Sequence, residues 1–186
     1  MQNETLSLIS ARRSHRAYEN TPLTKEQLDA LLKAAVESPS AVNRQPWHFT
    51  VVRSQALLDK MNEAVWEQMM KREAQKRSPR FLDGNFHVFY HAPTVIFISG
   101  MPDNPYTPID GGIAVENIAI AAESMGLGSV ILGMPRDAFA GDQAEAFKKA
   151  LQFPEGWDFV IAIAVGVPAD TKDAHPVKED RISFVD

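Results

Sequence analysis

Two apolar runs, Val95-Ile96-Phe97-Ile98 and Phe159-Val160-Ile161-Ala162-Ile163-Ala164-Val165, constrain this chain more than any other feature. Both are rich in β-branched residues and neither alternates with polar ones. They predict strands at 94–100 and 159–167 that are apolar on both faces. Such a sheet exposes oil to water unless helices cover both sides, and the rest of the chain supplies them. Thr24-x-x-Gln27 is a capping box that opens a helix with Leu28, Leu31, Leu32 and Ala35 on one face. A second helix is expected over 54–76, its buried stripe made by Leu57, Leu58, Met61, Ala64, Val65 and Met69. A third, over 112–125, is apolar nearly all round, as a central helix that also meets a second surface would be. Asp110 reads as its N-cap and Gly126 as its C′ residue. Further strands are expected at 47–53 and 129–132.

Composition narrows the function. The 186 residues form one domain, 1–186, with no linker or internal repeat, large enough for a substantial core. There is no cysteine, which removes disulfides, thiolate metal sites and cysteine nucleophiles together. A net charge of −5 argues against nucleic-acid binding. No apolar run approaches the roughly 20 residues of a membrane span. The first residues lack the basic start and apolar core of a secretory leader, so a cytoplasmic location is the expectation. The basic run Lys71, Arg72, Lys76, Arg77 and Arg80 interleaves with Glu67 and Glu73 and reads as the wet side of a helix.

Two polar segments remain. Arg12-Arg13-Ser14-His15-Arg16-Ala17-Tyr18 gathers three guanidiniums and a hydroxyl, the groups that match phosphate oxygens. The stretch from Ser38 to Trp47 is a loop with Pro39, the small residues Ser40 and Ala41, and the amides Asn43 and Gln45. Small side chains let a flat ligand near the backbone, and amides both donate and accept. Each segment alone also fits a solvated face or an ordinary helix-to-strand connection.

Together, in this order and about thirty residues apart, the segments resemble the nitroreductase family of FMN-dependent oxidoreductases. Its pattern is Arg-Arg-Ser-x-Arg-x-Tyr, a helix, then Ser-Pro-Ser-x-x-Asn-x-Gln-Pro-Trp and a strand. The resemblance implies a three-layer α+β fold with a mixed or antiparallel central sheet flanked by helices. It also implies an interlocked homodimer whose C-terminal extension reaches over the partner, with FMN at the interface. By the same likeness Arg12, Arg13 and Ser14 hold the phosphate and ribityl chain, and Arg16 lies against the pyrimidine edge of the ring. Pro39, Ser40, Ala41, Asn43 and Gln45 frame the ring, and Ile131, Leu132 and Gly133 bring backbone close to it. Lys172 supplies a tail cation to the phosphate. The family places an arginine two residues beyond such a lysine, where this chain has Ala174, with His175 next to it.

The implied activity is hydride transfer from NADH or NADPH through flavin to a flat acceptor such as a nitroaromatic or quinone, in a ping-pong cycle without a catalytic side chain. The rivals are a flavin-binding protein without turnover and a different flavin reaction on the same scaffold. Other motifs fall away. Gly126-Leu127-Gly128 followed by Gly133 has the wrong spacing for a dinucleotide fingerprint and follows a helix rather than a strand. His87 and His91 stand four apart, which on a helix would put them on one face, but no third metal ligand is evident in the sequence. Phe81, Phe86 and Tyr90 read as core residues near the site.

Overall fold

The structure is a computed structural model and describes residues 3–72 and 84–185. Four antiparallel strands form one sheet in the order β1-β2-β4-β3, with β1 Trp47–Val52, β2 Thr94–Gly100, β3 Gly128–Leu132 and β4 Asp158–Gly166. Among the described residues five α-helices surround it: α1 Glu4–Ala11, α2 Lys25–Val36, α3 Gln55–Lys71, α4 Thr107–Ser124 and α5 Ala144–Ala150. The two sheet faces bury separate cores, as strands apolar on both sides require. Val95, Phe97, Ala162 and Ala164 point to the side covered by α3 and α5, against Leu58, Met61, Val65 and Phe147. Ile96, Ile98, Ile163 and Val165 point to the other side, against Leu31 and Ala35 of α2 and Ala114, Ile118 and Ala122 of α4.

Alternation breaks once. Ile98 pairs with Ile161 and Ser99 with Phe159, so Val160 is an extra residue in β4. The bulge sets Val160 and Ile161 together on the α4 side while Phe159 turns to the α3 side. Val160 lies where α4 comes nearest the sheet. A Cβ added to Gly111 would stand 2.7 Å from its Cγ1, so α4 can lie this close only because residue 111 has no side chain.

Helix boundaries follow local chemistry. The capping box forms as expected, with Thr24 Oγ1 accepting from Gln27 N–H at 3.2 Å and Gln27 Oε1 accepting from Thr24 N–H at 2.9 Å. α4 ends in a Schellman motif: Gly126 takes φ +70, its N–H donates to Glu123 O, and Leu127 N–H donates to Ala122 O. Its start corrects the sequence reading. The helix begins at Thr107, five residues earlier than expected, because Pro108 fits the first turn without losing a needed donor. Asp110 is therefore not the N-cap but a buried member of that first turn. α3 closes at Lys71 with Arg72 extended, and the expected continuation to Lys76 lies outside the described residues, as do Phe81 and the basic residues at 76, 77 and 80.

Candidate functional site

The arginine motif is laced to the free edge of β3. Ser14 forms a parallel bridge with Ser129, His15 N–H donates to Ser129 O at 2.9 Å, and Glu19 N–H donates to Val167 O at 2.9 Å. Tyr18 is half-buried behind it, its hydroxyl donating to His15 O at 2.8 Å. Burial, with the Asp170 carboxylate nearby, pushes its phenol far above the ordinary range. Asp170 fastens the segment from the tail: its Oδ1 lies 2.7 Å from His15 Nδ1, and its Oδ2 accepts from Arg16 N–H at 3.1 Å and pairs with Lys172 Nζ at 3.2 Å. Burial alone would raise the Asp170 carboxyl, but Arg16 N–H, His15 and Lys172 together hold it below the usual carboxylate range.

This anchoring leaves guanidinium donors over. The Nε atoms of Arg13 and Arg16 are buried without a hydrogen-bond partner. Arg12 Nε is 3.2 Å from Glu116 Oε1 on α4, an ion pair without hydrogen-bond alignment. Arg13 Nη1 donates to Ser10 O and Arg12 O, and Arg16 Nη1 to Ser14 O. A cavity of about 420 Å³ opens beside this cluster, between the end of α1 and the tail, lined by Arg12, Arg13, Ser14, Ala174 and His175 among others. Arg12 and Arg13 both stand on its wall, and two guanidiniums lining one space favour an anion. Lys172, expected here, does not line the cavity; its ammonium is on Asp170.

The second segment is held by α4. Asp110 Oδ1 accepts from Ala41 N–H at 3.2 Å, and two turns further along Asn117 Nδ2 donates to Ser38 Oγ at 2.8 Å. Beyond both clamps the loop bends sharply: Val42, Asn43 and Gln45 all have φ near +50, a left-handed conformation uncommon for side-chain-bearing residues. The turn consumes much of its own polarity. Gln45 N–H donates to Ser40 Oγ at 2.9 Å, and Gln45 Nε2 to Asn43 Oδ1 at 3.2 Å. Pro39, Asn43 and Gln45 are exposed, and Ser40 and Ala41 are half-buried. Ile131 is half-buried and Leu132 buried in β3, while exposed Gly133 has open space where a side chain would be. Among the described residues, no hydrogen bond or ion pair joins the 38–45 loop to the arginine motif.

Asp110 and Asn117 were invisible as site residues in the sequence. They lie seven apart, one face of a helix, but so do many solvated pairs. Asp170 had no local signal. The histidine pair also differs from expectation. Residues 87–91 form turns, because Tyr90 and His91 are left-handed at φ 54 and 51, and the two rings lie 4.1 Å apart between centroids. Asp59 supplies a third donor atom, all three within 4.8 Å. Phe89 N–H donates to His87 Nδ1, so Nε2 carries the ring proton and donates to Asp59 Oδ1 at 3.2 Å. Both His87 nitrogens are occupied in this arrangement, which ties the turn to α3. Burial first, then His91, lowers the His87 pKa against the pull of Asp59.

The comparisons agree with this architecture. A family model described as the nitroreductase family matches residues 9–167. The chain belongs to the nitroreductase family. A nitroreductase from Desulfitobacterium hafniense solved with bound FMN superposes at a TM-score of 0.94, with 34% identity and full coverage of both chains. A protein of Archaeoglobus fulgidus named for NADH dehydrogenase and NAD(P)H nitroreductase is 33% identical over 97% of this chain and 94% of its own length. The FMN reductase [NAD(P)H] of Bacillus subtilis is 28% identical over 94% of this chain and 70% of that protein. Membership thus rests on nearly the whole chain of this nitroreductase-family protein, beyond the two motifs. No helix among the described residues is long and apolar enough to cross a membrane.

Proposed function

We propose that this protein is an FMN-dependent oxidoreductase that uses NADH or NADPH to reduce a flat acceptor such as a nitroaromatic or quinone. The observation that carries the reading is the open cavity at the arginine motif, walled by Arg12, Arg13 and Ser14. Those donors fit a phosphate, and the FMN bound by a near-full-length structural relative supplies one. When bound, FMN supplies the two-electron chemistry that links the nicotinamide to the acceptor. The chain's residues bind and orient. Arg12, Arg13 and Ser14 hold the phosphate and ribityl end. Arg16 keeps a fixed positive charge for the polar edge of the ring, where preorganised charge favours the reduced, more anionic form. The stiff turn at 40–45 and the backbone at 131–133 frame the ring. No side chain is assigned to proton transfer, since solvent can supply protons.

The same reading makes the protein a homodimer. The loop and the arginine motif make no polar contact within one chain, so the loop of one subunit would face the arginines of the other. Apolar side chains without cover point the same way: Leu6 and Ile9 on α1, Ile109 and Ile113 on α4, and Phe184 and Val185 at the end of the tail are all exposed. Visible spectroscopy tests the function. Purified protein is expected to show flavin absorption that bleaches anaerobically on adding NADPH or NADH and returns with a nitroaromatic or quinone. A protein that binds no FMN overturns the reading, and one whose bound flavin neither nucleotide reduces is a binding protein instead.

A further inference from the structure

Tyr90 at φ 54 and His91 at φ 51 are consecutive left-handed residues in the turn that leads into β2. An aromatic residue keeps that conformation only where its surroundings hold it there. One face of α3 does the holding. Gln55, Asp59, Asn62 and Trp66 follow one another at intervals of four, three and four, and each is bonded to the turn. Gln55 Nε2 donates to Ala92 O at 2.9 Å, and Asp59 Oδ1 accepts from His87 Nε2 at 3.2 Å. Asn62 Oδ1 accepts from Val88 N–H at 2.9 Å, and Trp66 Nε1 donates to Phe86 O at 3.1 Å. Phe86 in turn meets the Tyr90 ring edge to face, with centroids 5.6 Å apart at 81°. This bracing presents an aromatic face to the arginine motif: Arg16 Cζ stands over the Tyr90 ring, 6.0 Å from its centroid.

We propose that Tyr90 is a positioning residue for Arg16, fixing where the guanidinium sits and so setting how strongly bound flavin favours its reduced form. This rests on the flavin reading above and adds to it the residue that holds its cation in place. A cation assists reduction most when it need not rearrange as charge arrives, and an arginine on its long side chain can otherwise wander. Arg16 is held at its root by Asp170 Oδ2 on its N–H and at Nη1 by Ser14 O. Both contacts come from the motif and the tail. The ring adds a contact from the α3 side, set against the head of the side chain. Leucine at position 90 would remove that face, whereas phenylalanine would keep it.

Midpoint potentials of bound FMN would be measured anaerobically against a reference dye in the full-length holoprotein. Tyr90→Leu is expected to lower the preference for reduced over oxidised FMN about fivefold. That is a fall of about 20 mV for a two-electron couple, at about 30 mV per tenfold. Tyr90→Phe is expected to match the wild-type potential. In an Arg16→Gln background, Tyr90→Leu is expected to shift the potential no further. An unchanged or raised potential in Tyr90→Leu would overturn the assignment, even if stability or FMN affinity fell, because that pattern marks a merely structural ring. An equal fall in the Arg16→Gln background would overturn it too, since the ring would then act without Arg16. Should Tyr90→Leu fold poorly, Asn62→Ala keeps the ring but loosens the turn by freeing Val88 N–H. It is expected to lower the same preference about twofold, and no shift there would overturn the proposal. Wild type that binds no FMN defeats the flavin reading itself, a separate result.

Discussion

The 38–45 loop and the 168–185 tail are both polar segments outside the sheet, yet they are held in opposite ways. The loop is clamped over its first half by buried or half-buried side chains of α4, Asp110 to Ala41 N–H and Asn117 to Ser38 Oγ, and bends into a left-handed turn just beyond them. The tail is tied only at its start, through Ala169 N–H to Ala17 O and Asp170 to His15 and Arg16. Beyond Lys172 it is exposed to its end, with Val177, Ile182, Phe184 and Val185 uncovered. The loop is shaped before any ligand arrives, so its ordering cost is met on folding. The tail would be ordered mainly by what it meets.

The largest expected effect attacks the loop's support. A Cβ at Gly100 would run into Thr107 Cγ2 and stand 2.7 Å from Pro46 O, pushing apart the start of α4 and the close of the loop. Gly100→Ala should cost about 3 kcal/mol, read as a lower midpoint in urea, with loss of FMN binding alongside. A midpoint unchanged from wild type would show that the loop and α4 are not braced there. Removing residues 174–186 probes the other side of the comparison. The subunit should keep its fold and unfold within about 1 kcal/mol of the full chain, because residues 174–185 are all exposed. Sedimentation should show dimer lost at micromolar concentration, and a dimer that survives would mean the tail is not part of the interface.

The smallest effect concerns the tail's one firm knot. Asp170 has a carboxyl held below its ordinary value, so its contribution is full above the unfolded-state pKa, about 3.9, and is lost as pH falls through the lower folded value. Asp170→Asn should therefore flatten part of the stability loss below about pH 4 and leave the neutral-pH curve a little lower. An acid limb identical to wild type would remove Asp170 as the knot.

What the sequence disclosed follows the range of the interactions. Thr24 and Gln27, or Gly126 after an apolar helix, act within one turn of chain, and their roles were readable directly. The doubly apolar strands predicted the three layers because a two-sided sheet has few ways to stay dry. The arginine and amide motifs were legible as types of chemistry. Which donors remain free was not, since that depends on Asp170, Glu116 and Asp110 arriving from more than sixty residues away. Asp110 looked like a cap because Asp-Gly-Gly is common helix-entry chemistry; Pro108 moved the entry upstream. The Val160 bulge left no trace in an unbroken apolar run. The Asp59–His87 pair crosses 28 residues, and the left-handed turn at Tyr90 and His91 hid that the histidines share no helix.

The strand order has a consequence in time. β4 sits between β2 and β3, and it is the last strand to leave the ribosome. Until residue 158 emerges, β2 can pair only with β1, and β3 has no neighbour. Contacts between residues 58 or more apart, as β2 to β4 are, are slow to form and expose sticky edges meanwhile. Synthesis of this chain thus passes through a long interval in which Val95 to Ile98 presents an open, fully apolar strand edge.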